Sequence, residues 1–215
     1  MKLNIELRAD SVTISGYVNA VERDSRKMTL EDGTPFVEQV KAGAFNASIE
    51  QYKNINAFLN HDKTKTLGVT TDGSLKLKED NIGLWAELTT QNAEAVEAAR
   101  NGSLTGWSFG FIKMRDHWDT VGWDAETGHE FKRRYLDEIQ LTEVSILSGL
   151  IPVYYGTSYE VRAEKKTAIE FRANDIEARS IGVMPEINIQ FEKRLNDVEN
   201  KIKLLEKKNN LNKFR

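Results

Sequence analysis

Apolar and polar residues alternate along much of the chain, which is the pattern of half-buried β-strands. Stretches of this kind, or short apolar runs of strand length, occupy residues 3–7, 12–18, 55–59, 75–88 and 104–112. Asp-Gly pairs at residues 32–33 and 72–73 supply turn signals between them. The pattern therefore predicts many short strands joined by tight turns.

Two segments place their apolar residues on one helical face instead. In residues 43–52, Phe45, Ile49 and Tyr52 are spaced four and three apart. Residues 93–100 are rich in Ala and Glu and stop at an Asn-Gly pair. We therefore predict an α+β fold, with a mainly antiparallel β-sheet or small β-barrel and helices packed outside it.

The periodicity weakens in the second half of the chain. Residues 115–130 are polar and predict a loop, whereas residues 131–147 predict a strand pair or one long bent strand. After Tyr159 the chain becomes charge-dense without a firm period, and Pro185 marks a break. We predict a domain over residues 1–160, followed by a linker or loosely packed cover over residues 161–186.

The C-terminal segment 187–210 repeats apolar residues with the spacing of a coiled coil. Lys and Glu lie between the apolar positions, which are Phe191, Leu195, Val198, Ile202 and Leu205. Because a helix of barely two heptads is marginal alone in water, we expect self-association, or pairing with another chain or with its own domain. The alternative is a solvated amphipathic helix lying on the body.

The composition narrows the class of protein. A chain of 215 residues with 40% hydrophobic residues can build one moderate domain with its own core. The absence of cysteine excludes a disulfide framework, a thiol nucleophile and a thiolate metal site, and it fits a reducing cytoplasm. Since no apolar stretch has the length of a signal peptide or membrane span, we predict a soluble, unsecreted protein.

Charge is distributed unevenly along the chain. The formal net charge is −3, but residues 187–215 carry 8 Lys or Arg against 4 Asp or Glu. The tail is thus basic at +4, and the remaining residues are acidic at −7. A basic tail without interleaved aromatic residues is a weak basis for nucleic-acid binding, so none is expected.

Ser108 lies in a Gly-x-Ser-x-Gly sequence that matches the nucleophile elbow of α/β-hydrolases. That elbow requires a strand before the serine, a helix after it, and the acid and histidine later in the chain. Here the strand continues past Ser108, and no βαβ alternation surrounds it. The elbow is therefore disfavoured, which leaves a nucleophile in another fold or a small residue where two backbones pack closely.

Two further residues offer the partners that a serine nucleophile needs. His61 follows the apolar run 55–59, and Glu143 lies among apolar residues in the segment 141–147. A histidine that ends a strand is also typical of a surface position. An acid in such a strand either faces solvent by alternation or has a buried partner.

Five ordered landmarks together resemble the prohead (head maturation) serine proteases of tailed bacteriophages, a family structurally related to the herpesvirus assemblin proteases. They span roughly residues 10–160 and are Gly16-Tyr17-Val18, Gly43-Ala44-Phe45, Asn60-His61-Asp62, the block from Gly102 to Phe111, and Glu143-Val144-Ser145 followed by Pro152. Pro152-Val153 departs from the Pro-Ala that members usually show, and it touches none of the expected catalytic residues.

The resemblance implies an assemblin-like fold and a serine endopeptidase that uses no cofactor and no metal. Ser108 would be the nucleophile, His61 the general base and Glu143 the orienting acid. Assemblins use a second histidine in the third position, so Asp62 and His117 remain alternatives to Glu143. The implied substrate is scaffold protein, or the scaffold-like segment of the major capsid protein, cut inside the assembling prohead in the host cytoplasm, with self-cleavage.

Two other classes of function remain open at this point. One is a non-catalytic assembly protein in which a β domain and a coil organise capsid subunits. The other is a metal site built from Asp116, His117, Asp119, Asp124 and His129. Because their spacing matches no established ligand pattern, a solvated acidic loop is the favoured interpretation.

Overall fold

The computed structural model describes residues 3–154, together with the backbone of three short strands between residues 171 and 181. The chain divides into two compact units, Met1–Gly182 and Val183–Arg215, and every described residue belongs to the first. The predicted C-terminal helix, with its five apolar positions, lies outside the described residues. Most of the predicted linker does so as well.

The secondary structure of the described residues is mostly β. The strands are β1 Asn4–Leu7, β2 Val12–Ala20, β3 Met28–Thr29, β4 Pro35–Val40, β5 Asn56–Leu59, β6 Asp62–Val69, β7 Leu75–Glu79, β8 Gly83–Thr90, β9 Leu104–Asp124, β10 His129–Ser148, β11 Ile151–Pro152, β12 Phe171–Ala173, β13 Ile176–Ala178 and β14 Ser180–Ile181. The helices are α1 Ala44–Gln51 and α2 Ala93–Arg100, and Thr70–Asp72 form a single 3-10 turn. Neither α-helix has the length and hydropathy needed to cross a bilayer.

These strands are divided between a four-stranded and an eight-stranded sheet, with a small β11–β14 pair beside them. The first sheet has the order β1-β2-β8-β7. The second has the order β12-β13-β9-β10-β4-β3, with β5 pairing to β10 and β6 to β5. All pairs are antiparallel except those that β10 makes with β4 and β5. The predicted α+β class with a mainly antiparallel sheet is confirmed, whereas the two parallel pairs were not predicted.

The core is built from the inward face of the strands. In β9, Trp107, Phe109 and Phe111 are fully buried, and Phe109 packs edge-on against Phe45 of α1 with ring centroids 5.2 Å apart. Burial of each such side chain contributes roughly 2–3 kcal/mol. Because successive strand residues point to opposite faces, this aromatic row turns Ser108 and Gly110 to the other face of the sheet.

Both predicted helices are confirmed, and each has a defined start. Asn92 caps α2, since its side-chain oxygen accepts a hydrogen bond from the Ala95 N–H at 3.1 Å. The carboxylate of Glu79 in β7 caps α1 from outside by accepting the N–H groups of Gly43 and Asn46, both at 2.7 Å. These contacts satisfy backbone donors that a helix leaves unpaired.

The prediction of a loop over residues 115–130 is wrong. There β9 and β10 continue as an antiparallel two-stranded arm that turns between Asp124 and His129. Both faces of the arm are largely exposed, so its residues carry no hydrophobic period. Charged cross-strand pairs line it instead, such as Arg115 with Glu138 and His117 with Asp137, each at 2.7 Å. The segment 131–147 is one long strand with register shifts, in agreement with the second of its two predicted forms.

Candidate active site

His61 lies in a two-residue turn between β5 and β6. Leu59 pairs with Asp62 across the hairpin, which leaves Asn60 and His61 as the loop. Both have positive φ angles, +53° and +61°, as the loop residues of a type I′ turn require. Asn adopts this conformation readily, but His in the second position costs about 1 kcal/mol. Such local strain persists only where surrounding contacts fix it, and it is common at functional sites.

The contacts that fix this turn come from β10. The Asn60 side chain donates to the Ser148 carbonyl at 3.0 Å and accepts the Ser148 N–H at 2.7 Å. The backbone N–H of Asn60 donates to the Ile146 carbonyl at 2.9 Å. With three hydrogen bonds to one strand, the turn has a defined position above the sheet.

The register of β9 and β10 places the other two residues. Ser145 lies opposite Ser108, and Glu143 lies opposite Gly110. All four positions therefore share one face of the sheet. The other edge of β10 pairs with β5, in which Phe58 lies beside Ser145. The turn that carries His61 is thus held over the same face of the sheet.

The three residues form a continuous hydrogen-bonded chain. Glu143 Oε1 lies 2.5 Å from His61 Nδ1, and His61 Nε2 lies 2.9 Å from Ser108 Oγ. The side chains of His61 and Glu143 are 13% and 6% exposed, so little water reaches either one. All three residues predicted from the sequence are therefore brought into direct contact.

The partners of Glu143 determine the arrangement of protons. A buried carboxylate needs hydrogen-bond donors, and here Oε1 meets the imidazole while Oε2 accepts the Ser145 hydroxyl at 2.7 Å. A carboxylate at Nδ1 favours the tautomer that carries its proton on that nitrogen. Nε2 then has a lone pair directed at the hydroxyl of Ser108, which is the arrangement that activates a serine.

Ser145 and Asn60 lie in two of the sequence landmarks, but their supporting contacts were not predicted. Ser145 Oγ donates to Glu143 and accepts the backbone N–H of His61 at 3.3 Å. One hydroxyl thus contacts both His61 and Glu143. The only sequence signal was spacing, since Ser145 is two residues from Glu143 and so shares its face of a strand. For Asn60, the signal was an Asn directly after an apolar run.

Gly110 has a steric reason to be glycine. A Cβ at this position would lie 2.6 Å from Glu143 Oε1 and 2.9 Å from Glu143 Cγ. The carboxylate of Glu143 therefore occupies the space that any side chain at position 110 would need. The second glycine of the Gly-x-Ser-x-Gly sequence thus makes room for the acid rather than forming an elbow.

The two alternatives for the third residue lie elsewhere. Asp62 is half-buried, and its carboxylate accepts the N–H and hydroxyl of Thr64 at 2.9 and 2.6 Å, which lowers its pKa. His117 is nine residues beyond Ser108 in β9, about 30 Å along a strand, and its Nδ1 pairs with Asp137. Neither side chain hydrogen-bonds to the imidazole of His61, whose ring nitrogens meet Glu143 and Ser108.

Two of the three acidic residues considered for a metal site, Asp116 and Asp124, are paired with cations. Asp116 lies 2.8 Å from Arg134 Nε, and Asp124 pairs with Lys27. Within residues 3–154 no group of three or more potential ligands has the geometry to hold a metal ion. These residues belong to the β9–β10 arm, where their ion pairs join the two strands to each other and to neighbouring segments.

Comparison with known proteins agrees with this chemistry. A search of curated proteins and a search of solved structures each gave no match. The family model of the caudovirus prohead serine proteases, however, matches residues 1–172, a span that contains His61, Ser108 and Glu143. Proteins of this family are hydrolases that act on peptide bonds and serve phage head maturation. The relation to herpesvirus assemblins stays a prediction. The chain belongs to the caudovirus prohead serine protease family.

Proposed function

We propose that this chain is the endopeptidase of prohead maturation, with Ser108 as nucleophile, His61 as general base and Glu143 as orienting acid. One observation carries the proposal, namely the unbroken chain of contacts from Glu143 through His61 to Ser108, at 2.5 and 2.9 Å. A serine hydroxyl is a weak nucleophile until an adjacent base accepts its proton. The contacts supply that base and hold its ring in position.

The first half of the reaction forms an acyl-enzyme. Ser108 Oγ adds to the carbonyl carbon of the substrate peptide bond while His61 Nε2 takes the hydroxyl proton. Collapse of the tetrahedral intermediate breaks the C–N bond, and the same proton passes from Nε2 to the departing amine. Glu143 stays ionised and stabilises the imidazolium while it carries the proton. Backbone amides near Ser108 are expected to donate to the oxyanion.

The second half releases the acid product. Water adds to the ester on Ser108 while His61 Nε2 takes one of its protons. The ester C–O bond then breaks, and Nε2 returns the proton to Ser108 Oγ. The two half-reactions together consume one water and leave the enzyme unchanged. No cofactor or metal takes part in these steps.

The proposed substrate is scaffold protein, or the scaffold-like segment of the major capsid protein, inside the assembling prohead in the host cytoplasm. Membership of a prohead protease family supports this substrate class.

Residues 1–160 are the proposed protease domain and residues 161–186 the proposed linker. The segment 187–210 would anchor the enzyme to scaffold or self-associate through its apolar positions, and self-cleavage in the linker would release it.

The deciding experiment is mass spectrometry of this protein co-expressed with its capsid protein. Wild-type enzyme should produce defined fragments of the capsid or scaffold protein and of itself, whereas Ser108→Ala should produce none. Loss of the nucleophile is expected to lower turnover by at least about 10⁴-fold. An active Ser108→Ala protein would exclude Ser108 as the nucleophile.

Deletion of residues 187–215 tests the proposed anchor. The truncated protein should cleave a peptide substrate at the rate of the full chain, because the three catalytic residues all lie between residues 61 and 143. Its copy number in isolated proheads should fall. A truncated protein that is packaged as well as the full chain would rule out anchoring by this segment.

A further inference from the structure

The strand that carries Ser108 has a second edge, and part of that edge is occupied by the chain's own β13. One edge of β9 pairs with β10 over nearly its whole length. On the other edge, β13 pairs antiparallel with residues 110–112, with Ile176 opposite Ile112 and Ala178 opposite Gly110. Gly110 is only two residues, or about 7 Å, from Ser108 along the strand.

The order of strands puts β13 on the side of Ser108 away from its base. Across the sheet at this level the order is β5, β10, β9 and β13. His61 reaches Ser108 from the β10 side, because its turn is bonded to Ser145 and Ile146. A peptide that presents its carbonyl to Ser108 must approach from another direction. The β13 side of β9 offers such an approach.

The pairing of β13 with β9 stops two residues short of Ser108. If the register of β13 continued for two more residues, position 180 would lie opposite Ser108. Instead Ser180–Ile181 form β14, which pairs with Ile151–Pro152 of β11. The described strands therefore place Ile176 beside Ile112, Ala178 beside Gly110, and Ser180–Ile181 beside β11, which follows the end of β10.

An endopeptidase must hold an extended segment of polypeptide beside its nucleophile. Addition of a strand to an exposed sheet edge does so through backbone hydrogen bonds, which any sequence can make. We infer that residues 108–112 of β9 form the edge on which substrate binds as an antiparallel strand, and that β13, residues 176–178, occupies the part of this edge at residues 110–112 in cis. The segment is a substrate-like occupant that competes with external peptide, so the uncut chain is self-inhibited. This inference rests on the proposed peptidase function.

Two proline variants, Glu177→Pro and Ala178→Pro, test the occupancy in the full chain. Consecutive N–H groups of a strand point to opposite edges, so one of the two variants removes a donor that faces β9. Active sites are counted with a serine-directed covalent probe, and cleavage of an external peptide is then measured. If β13 occupies the edge in nine molecules of ten, only one molecule in ten can bind external peptide. Release of β13 then lowers KM about tenfold and leaves kcat unchanged.

Gln190→Pro, in the second unit of the chain, is the control and should leave KM unchanged.

A synthetic peptide of residues 171–182 supplies the complementary test. Added to the proline variant with the lower KM, it should inhibit competitively, whereas a scrambled peptide of the same composition should not. In an inactive Ser108→Ala background, that proline change should also speed deuterium exchange of the amides at residues 110–112. This last measurement requires no catalysis.

The outcomes separate the two levels of the proposal. If the probe labels Ser108 and peptide is cleaved, but both proline variants keep the wild-type KM and exchange rates, self-inhibition is refuted and the peptidase function stands. If no variant reacts with the probe or cleaves any peptide, both proposals fail. A lower KM together with competitive inhibition by the peptide supports the occupied edge.

Discussion

At the scale of single residues, the active site depends on the space left at Gly110. A Cβ atom at position 110 would lie only 2.6 Å from Glu143 Oε1, which is too close for any side chain. Gly110→Ala should therefore push Glu143 away from His61 Nδ1, and a displacement of about 1 Å can lower turnover by about 100-fold. Peptide cleavage rates of the purified variant provide the measurement.

Gly122 in the same strand provides a matched control for this substitution. A Cβ at Gly122 would meet nothing within 4 Å, so Gly122→Ala should keep wild-type activity. If Gly110→Ala were equally active, the contact between Glu143 and His61 would not matter for turnover.

Glu143 and Asp62 are both acids near His61, but only Glu143 hydrogen-bonds to its imidazole. Glu143→Ala removes the group that orients the imidazole and should lower kcat by about 10²–10⁴-fold, with measurable residual activity. Asp62→Ala removes a carboxylate that bonds to Thr64 and should alter kcat by no more than about twofold. A larger loss for Asp62→Ala than for Glu143→Ala would reassign the third position.

The residue pattern offered His61, Ser108 and Glu143 as candidates, because a serine needs a base and a base needs an acid. The resemblance to the prohead proteases implied their roles, but it did not predict how the side chains are held. The role of Ser145 was missed, since its contacts depend on the β9–β10 register and on a turn 84 residues away. Register of this kind is fixed by long-range pairing, which local periodicity does not encode.

At the scale of elements, strands with one buried face were predictable and strands with two exposed faces were not. The alternation in residues 75–88 gave β7 and β8, and the spacing of Phe45 and Ile49 gave α1. The arm of β9 and β10 was missed because its stability comes from cross-strand charge pairs and backbone pairing. Neither β4 nor β6 was predicted, and the parallel partners of β10 require knowledge of the whole sheet.

The tip of the arm should be dispensable for catalysis. Replacing residues 121–131 by Asn-Gly retains the native pair of Thr120 with Lys132 and closes it with a type I′ turn. Peptide cleavage should stay within about twofold of wild type, as for other surface changes, because the altered residues begin thirteen positions beyond Ser108 in the same strand. A large loss of peptidase activity with intact folding by circular dichroism would contradict this expectation.

At the scale of the whole molecule, a buried ion pair joins β4 to β10. Glu38 is fully buried, and its carboxylate meets Arg134 Nη1 at 3.1 Å and the hydroxyl of Tyr154. Arg134 Nε also lies 2.8 Å from Asp116. Two charges removed from water in this way are stable only together.

Arg134→Met should therefore destabilise the protein strongly, because the buried carboxylate of Glu38 would lose the guanidinium that contacts it. The expected loss is about 3–5 kcal/mol of unfolding free energy, or a fall in Tm of roughly 10 °C. Lys76→Ala breaks the exposed pair with Glu87 and should cost less than about 1 kcal/mol. Thermal unfolding of both variants gives the comparison, and equal Tm values would show that the buried pair does not stabilise the fold.

The parallel pairing of β5 with β10 has a consequence for the timing of activity during synthesis. The turn that carries His61 is held by bonds to residues 145, 146 and 148, more than eighty positions later in the chain. A nascent chain that has not yet reached Glu143 has the proposed nucleophile and base but lacks both the proposed acid and the strand that positions the base. We therefore expect no formed active site before β10 has been made, and no proteolytic activity earlier in synthesis.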